Sequence, residues 1–369
     1  MSESIKKVEQ AAKNILFNCA KGQAGDTLLI VHEACDEGYY DSKLHGLIAD
    51  AAKKLGFKVT LFEIAFAPDI KDPSPELAAK LAAADHSLFL ARLGDQLRFQ
   101  KNKIPARSII SYAIDSDMFL SSFARADYAG FAELKGLIES AFVAAKRIQV
   151  TCPAGTNFSG SLQNGEFEHS DIHLKRFPLS VFNPVPVFAF SGCIAQNGFL
   201  TGTGSQYYKP YACELRDTLL IDFKGADITG FRGSQRDISS AQTHYEMVAK
   251  KYNIDPYFVH SWHAGIHPAC RFDHPASENF ERWSGAAFGN PRLLHFHSCG
   301  KIPPGEISIN VVDPSIRLDD ALIWEKGVLH PERLRGGDML LARFPDLARA
   351  FQNPAKEIGL GPAERLSFS

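Results

Sequence analysis

Two hydrophobic patterns alternate along the first 146 residues, and few folds accommodate that alternation. Ile5, Val8, Ala12, Ile15 and Leu16 recur at helical spacing over residues 3 to 20, and Asp26-Thr-Leu-Leu-Ile-Val-His32 is a continuous apolar run suited to a buried strand. His45 to Leu55 is helical and stops at Gly56, after which Phe57 to Phe62 reads as a strand. Pro75 to Ala84 then reads as a helix, His86 to Ala91 and Ser108 to Tyr112 as strands, and Phe131 to Lys146 as a long amphipathic helix. Strands that are apolar on both faces and separated by helices require a mainly parallel sheet covered on both sides. The expectation is an α/β domain over residues 1–146.

From Arg147 the pattern changes. Short strands separated by Gly, Pro and Asn follow: Arg147 to Thr151, Val185 to Phe190, Thr218 to Phe223 and Ala226 to Phe231. One helix, from about Ser239 to Tyr252, interrupts them. This predicts a mainly antiparallel α+β domain over 147–330, followed by a C-terminal extension, 331–369, of short helices and polar linkers. No G-x-G-x-x-G turn or P-loop supports a nucleotide site, and Gly202-Thr-Gly-Ser205 sits among strands, where it reads as a hairpin.

Chemistry concentrates in the second domain. His260, His263, His267, His274, His295 and His297 fall within forty residues of one another, and Glu306 follows shortly after. On a strand, Leu294-His-Phe-His297 puts both imidazoles on one face with Phe296 on the other. His263 and His267 would share a face only on a helix, which Gly265 and Pro268 oppose, so these two are expected to play different roles. Imidazoles with a carboxylate suit iron(II), manganese or zinc, whereas calcium and magnesium prefer oxygen cages. The expected ligands are His263, His295, His297 and Glu306, with the choice between His295 and His297 open. A satisfied cluster of core histidines is the competing reading.

Composition narrows the partners. The net charge of -2 and the lack of a Lys/Arg run speak against nucleic acid. Seven scattered cysteines with no Cys-x-x-Cys pair read as reduced thiols in a cytoplasmic protein, and Cys270 and Cys299, beside the histidines, as buried structural ones. The N-terminus reads as the start of an amphipathic helix rather than a signal peptide, and no apolar stretch is long enough for a membrane span.

Three segments resemble one family. Ile148-Gln-Val-Thr-Cys-Pro-Ala-Gly-Thr-Asn157 is similar to the V-T-x-P-x-G-T-D strand and turn of the thermophilic metallo-aminopeptidases of the aminopeptidase T type. Trp262-His-Ala-Gly-Ile-His-Pro268 resembles their Gly-x-Asn-Pro segment, and Arg317-Leu-Asp-Asp-Ala-Leu-Ile-Trp-Glu-Lys-Gly327 their Leu-Asp-Gly hairpin. The 2,5-dihydroxypyridine 5,6-dioxygenases share this scaffold and hold one iron(II) through two histidines and an aspartate. The departures separate the two relatives. Ser180 stands where the aminopeptidases place one metal-binding Glu, and His263 stands where they place another, as in the dioxygenases. The His-x-Asp pair of both relatives falls on Glu306-Ile-Ser308, so the resemblance implies a rearranged site in which His295 or His297 supplies the missing ligand.

What this implies is a mononuclear iron(II)-dependent ring-cleaving dioxygenase acting on a small hydroxylated aromatic or heteroaromatic compound with dioxygen, in a homodimer or larger homo-oligomer. A zinc- or manganese-dependent hydrolase of amidase or aminopeptidase type, and a non-catalytic binding protein on the same scaffold, are the alternatives. His267 and His260 are the candidates for proton handling. Arg98 and Arg271 are candidates for binding a planar anion, and Trp262 for stacking on a ring.

Overall fold

The computed structural model describes residues 3–360, apart from 69, 71, 101–102, 106, 163–166, 168–173 and 302. The chain divides into two compact units. One comprises Met1–Ala132, Ser170–Ser180 and Phe344–Asn353; the other comprises Glu133–His169, Val181–Arg343 and Pro354–Ser369.

The first unit is built on a five-stranded sheet in the order Lys58–Ile64, Thr27–Glu33, His86–Leu90, Ser108–Ser111, Lys175–Phe177, and every pairing is parallel. Leu28, Leu29, Ile30 and Val31 are buried on both faces of the sheet, as their uninterrupted apolar run requires. Lys58–Ile64, at the edge, has only exposed and half-buried positions. Helix Pro75–Ala83 begins where the Ser74 hydroxyl accepts the Leu77 N–H. Helix Leu44–Lys54 stops before Gly56, whose φ of 91° admits no side chain cheaply.

One expected helix differs. The 3–20 segment is α-helical only over Glu3–Lys13 and continues as a wider π-turn over Asn14–Cys19. Buried Asn14 explains the change: its amide donates to Ala124 O and Ala126 O and its oxygen accepts the Tyr128 N–H. A polar side chain with partners on another segment has overridden the helical period.

The second unit holds two antiparallel sheets. The larger runs Asp227–Arg232, Leu219–Lys224, Ser191–Gln196, Asn157–Gly160, Ile148–Thr151, Ser315–Leu318, Ala321–Glu325, Val328–Leu329. The smaller runs Ala212–Glu214, Phe199–Gly202, Glu306–Val312, Leu293–Cys299, Val259–Ala264, Val185–Pro186. Their facing sides meet in an aromatic core. Phe158 on the larger sheet lies 5.2 Å from Phe296 and 5.6 Å from Trp262 on the smaller, and Phe223 lies 5.8 Å from Phe296, all edge to face. Helix Gln235–Tyr252 is capped by the Ser234 hydroxyl and ends at Asn253 in the left-handed conformation.

The C-terminal segment forms helices Gly337–Arg343 and Pro345–Gln352, and residues 344–353 belong to the first unit. Beyond them Glu357 O accepts the Phe272 N–H, and Ile358 O accepts the indole N–H of Trp283. Residues 361–369 of the expected extension lie outside the described residues. Among the described residues no helix is long and apolar enough to cross a membrane.

Candidate metal centre

Strand pairing brings the histidines together. In the smaller sheet His263 pairs directly with His295, and His295 with Asn310; one row on, Ser261 pairs with His297 and His297 with Ser308. Directly opposed residues of antiparallel strands share a face, so these six side chains form one polar patch. The intervening residues, Trp262 and Phe296, form the apolar opposite face.

Three ring nitrogens converge on this patch. His263 Nε2 lies 2.7 Å from His295 Nε2 and 3.3 Å from His297 Nε2. His263, His295 and His297 each offer one nitrogen, all within 4.8 Å of one another. Two nitrogens bound to a tetrahedral zinc ion sit roughly 3.3 Å apart, from a Zn–N length of about 2.0 Å. His263 and His295 are buried, while His297 keeps 12% of its side chain exposed.

Partners on the far side of two rings fix their tautomers. His263 Nδ1 meets Phe182 O at 2.8 Å, and a carbonyl can only accept, so Nδ1 carries the proton and Nε2 presents a lone pair. His297 Nδ1 meets Glu306 Oε1, and the same argument leaves Nε2 of the neutral ring a lone pair. Two lone pairs facing each other at 3.3 Å repel unless a cation lies between them. The donor set therefore fits a divalent metal, and three neutral imidazoles suit zinc or iron better than a hard, oxygen-seeking ion. Phe288 completes the surround by stacking on His295 with ring centroids 4.1 Å apart, and Trp283 packs on Phe288 in turn.

The other expected residues lie elsewhere. Glu306 stands behind His297, holding its Nδ1, rather than among the converging nitrogens; it is buried, and its Oε2 has no hydrogen-bond partner among the described residues. His260 sits at the bulge where the pairing of its strand shifts, with its Nδ1 2.9 Å from Ser261 Oγ. His267 is buried in the segment after that strand; its Nδ1 accepts the Ala269 N–H and its backbone N–H donates to Gly289 O. Trp262 faces the aromatic core between the sheets, on the side away from the three imidazoles. Arg271 is half-buried and pairs with Asp273. Arg98 belongs to the first unit, where it is buried against Asp95 and donates to Asp95 O. Burial pushes the thiols of Cys270 and Cys299 up to about 12, so both remain protonated packing residues.

Three contributors escaped the sequence reading: the carbonyl of Phe182, the ring of Phe288, and the polar set opposite the histidines. The last left a trace. Glu306-Ile-Ser-Ile-Asn310 alternates polar and apolar residues, the mark of a strand with one polar face.

No family model matches the chain, and no curated protein matches it. Among solved structures, the 2,5-dihydroxypyridine dioxygenase from Pseudomonas putida KT2440 aligns over 91% of this chain and 100% of its own, with a TM-score of 0.58 and 15% identity. Wild-type AmpT from Thermus thermophilus aligns over 85% of this chain and 94% of its own, with a TM-score of 0.47 and 9% identity. The chain thus has the fold of the first of these proteins, an α/β unit followed by an antiparallel one.

Proposed function

We propose that this chain, on that fold, is a mononuclear metal enzyme whose resident ion is iron(II) and whose reaction is the dioxygen-dependent opening of a small hydroxylated aromatic or heteroaromatic ring. The observation that carries the reading is the convergence of His263, His295 and His297 Nε2, with two of the three tautomers fixed from behind. The fold shared with a 2,5-dihydroxypyridine dioxygenase supports the choice of reaction. Iron(II), when bound, supplies open positions for substrate and dioxygen and the redox capacity that ring cleavage needs. The chain's own residues hold and orient. Phe182 O and Glu306 keep the Nε2 lone pairs of His263 and His297 pointed inward, and Phe288 covers one face of His295 and keeps water from it.

A second reading rests on the same donor set. The converging atoms include no carboxylate, and three neutral imidazoles are a set that binds zinc and lowers the pKa of its water, which is the chemistry of a hydrolase. Oxygen separates the two. Protein loaded anaerobically with iron(II) should bind about one ion per chain and consume oxygen when given dihydroxylated pyridines or catechols. Full metal content in His263→Ala, His295→Ala and His297→Ala would refute the site. Turnover that persists without oxygen would transfer the assignment to hydrolysis.

A further inference from the structure

Beside the three imidazoles the polar patch continues across the sheet, and there its hydrogen bonding is incomplete. Thr201 pairs with Ser308, which pairs with His297, while Asn310 pairs with His295. The Ser308 hydroxyl donates to Asn310 Oδ1, which uses the amide's acceptor and leaves its two N–H donors. Asn310 Nδ2 has no partner among the described residues, nor has Thr201 Oγ1, although both side chains are at most 1% exposed. The segment after Thr201 adds two more buried hydroxyls in the same condition, Thr203 and Ser205. Folded proteins pair nearly all such groups, because each one left unpaired is costly. Thr201 and Asn310 lie on the sheet face that carries the histidines, and Thr203 and Ser205 follow Thr201 just beyond the end of its strand; together the four point to a ligand.

We propose that Thr201, Thr203, Ser205 and Asn310 form the recognition strip of the substrate site, accepting one hydroxyl or carbonyl group of an uncharged ligand whose other end, an adjacent hydroxyl, faces the three histidines. This rests on the proposed metal reading only for that other end. The charge of the patch sets the ligand class. Ser261, His263, His295, His297, Ser308, Asn310 and Thr201 include no Lys or Arg, and the nearby carboxylate is that of Glu306. A carboxylate or phosphate on the ligand would find no counter-charge among these residues, whereas a neutral oxygen finds hydroxyls and an amide N–H.

Stability and binding should move in opposite directions. Replacing a ligand-directed, unpaired hydroxyl by an isosteric methyl removes a buried cost, so Thr201→Val and Thr203→Val should each raise the melting temperature of the ligand-free protein by about 2–4 °C. The same variants, loaded with zinc(II), should bind catechol several-fold more weakly than the wild type by calorimetry, at an unchanged zinc(II) affinity. Wild-type protein should bind catechol at least tenfold more tightly than 3,4-dihydroxybenzoate. A lower melting temperature in both variants would show that the hydroxyls are paired within the fold, and would overturn the proposal. So would a catechol affinity unchanged in both variants, no catechol binding by the wild type, or equal affinity for the carboxylated probe. Failure of the wild type to bind zinc(II) would instead refute the metal site, and the sign of the stability change would still decide the strip.

Discussion

Replacing Glu306 by Gln isolates what one buried charge does for the imidazole in front of it. The carboxylate is 2% exposed and accepts from His297 Nδ1 through one oxygen. Glutamine keeps the size and an acceptor oxygen, but it loses the charge. It can also turn its NH2 toward Nδ1, which selects the tautomer whose Nε2 carries a proton and cannot bind a metal. Loss of such an outer partner typically costs 10–100-fold in metal affinity, or about 1.4–2.8 kcal/mol at roughly 1.4 kcal/mol per tenfold. The assay is a zinc(II) competition titration against a chromophoric chelator, with stoichiometry from elemental analysis and the His297 tautomer from 15N chemical shifts. The expected result is one ion per chain, bound 10–100-fold more weakly, with some His297 shifted to the Nε2-protonated form. An unchanged affinity would refute the claim that the carboxylate fixes the tautomer. A loss as complete as that in His297→Ala would make Glu306 a ligand instead.

Two further substitutions test how the surrounding structure is built. A Cβ on Gly265 would sit 2.2 Å from Asn290 O and 2.4 Å from Gly289 C, both backbone atoms, so Gly265→Ala should cost about 1–3 kcal/mol and weaken metal binding by displacing the neighbouring Phe288. Gly46→Ala, in a helix with nothing within 4 Å of the new methyl, is the control and should be neutral or stabilising by up to about 1 kcal/mol; equal urea midpoints for the two variants would refute the close-approach argument. Burial pushes the His244 pKa down to about 4. Between pH 6.5 and 4 the unfolded chain therefore takes up a proton that the folded chain refuses, so stability is full above this window and falls as the pH drops through it, by at most about 3 kcal/mol. His244→Phe should flatten that acid limb in urea melts at pH 7 and pH 4.5, and an unchanged difference between the two pH values would contradict the assignment.

Much of the architecture was legible because periodicity reports directly on burial. The apolar run Leu28 to Val31 announced a strand covered on both faces, and the parallel sheet follows from it. Lys175–Phe177 escaped because three residues, two of them charged, carry no period. At the site, the shared face of His295 and His297 was readable from their spacing. The same rule applied one step further puts Trp262 on the face opposite its neighbour His263, in the core. What no period contains is register. That His263 meets His295, thirty-two residues on, and that Glu306 ends up behind His297, depend on how three strands align. The carbonyl of Phe182 is likewise invisible in a sequence, since every residue has one.

The alternation of histidines with Phe296 and Trp262 also makes the centre a gauge of its own assembly. A slip of one residue between Val259–Ala264 and Leu293–Cys299 would turn His295 and His297 into the aromatic layer and bring Phe296 out beside Ser261. No misaligned chain could gather the three nitrogens. A bound ion would then certify that these strands have paired correctly, and a metal-poor fraction from purification should be enriched in chains that have not.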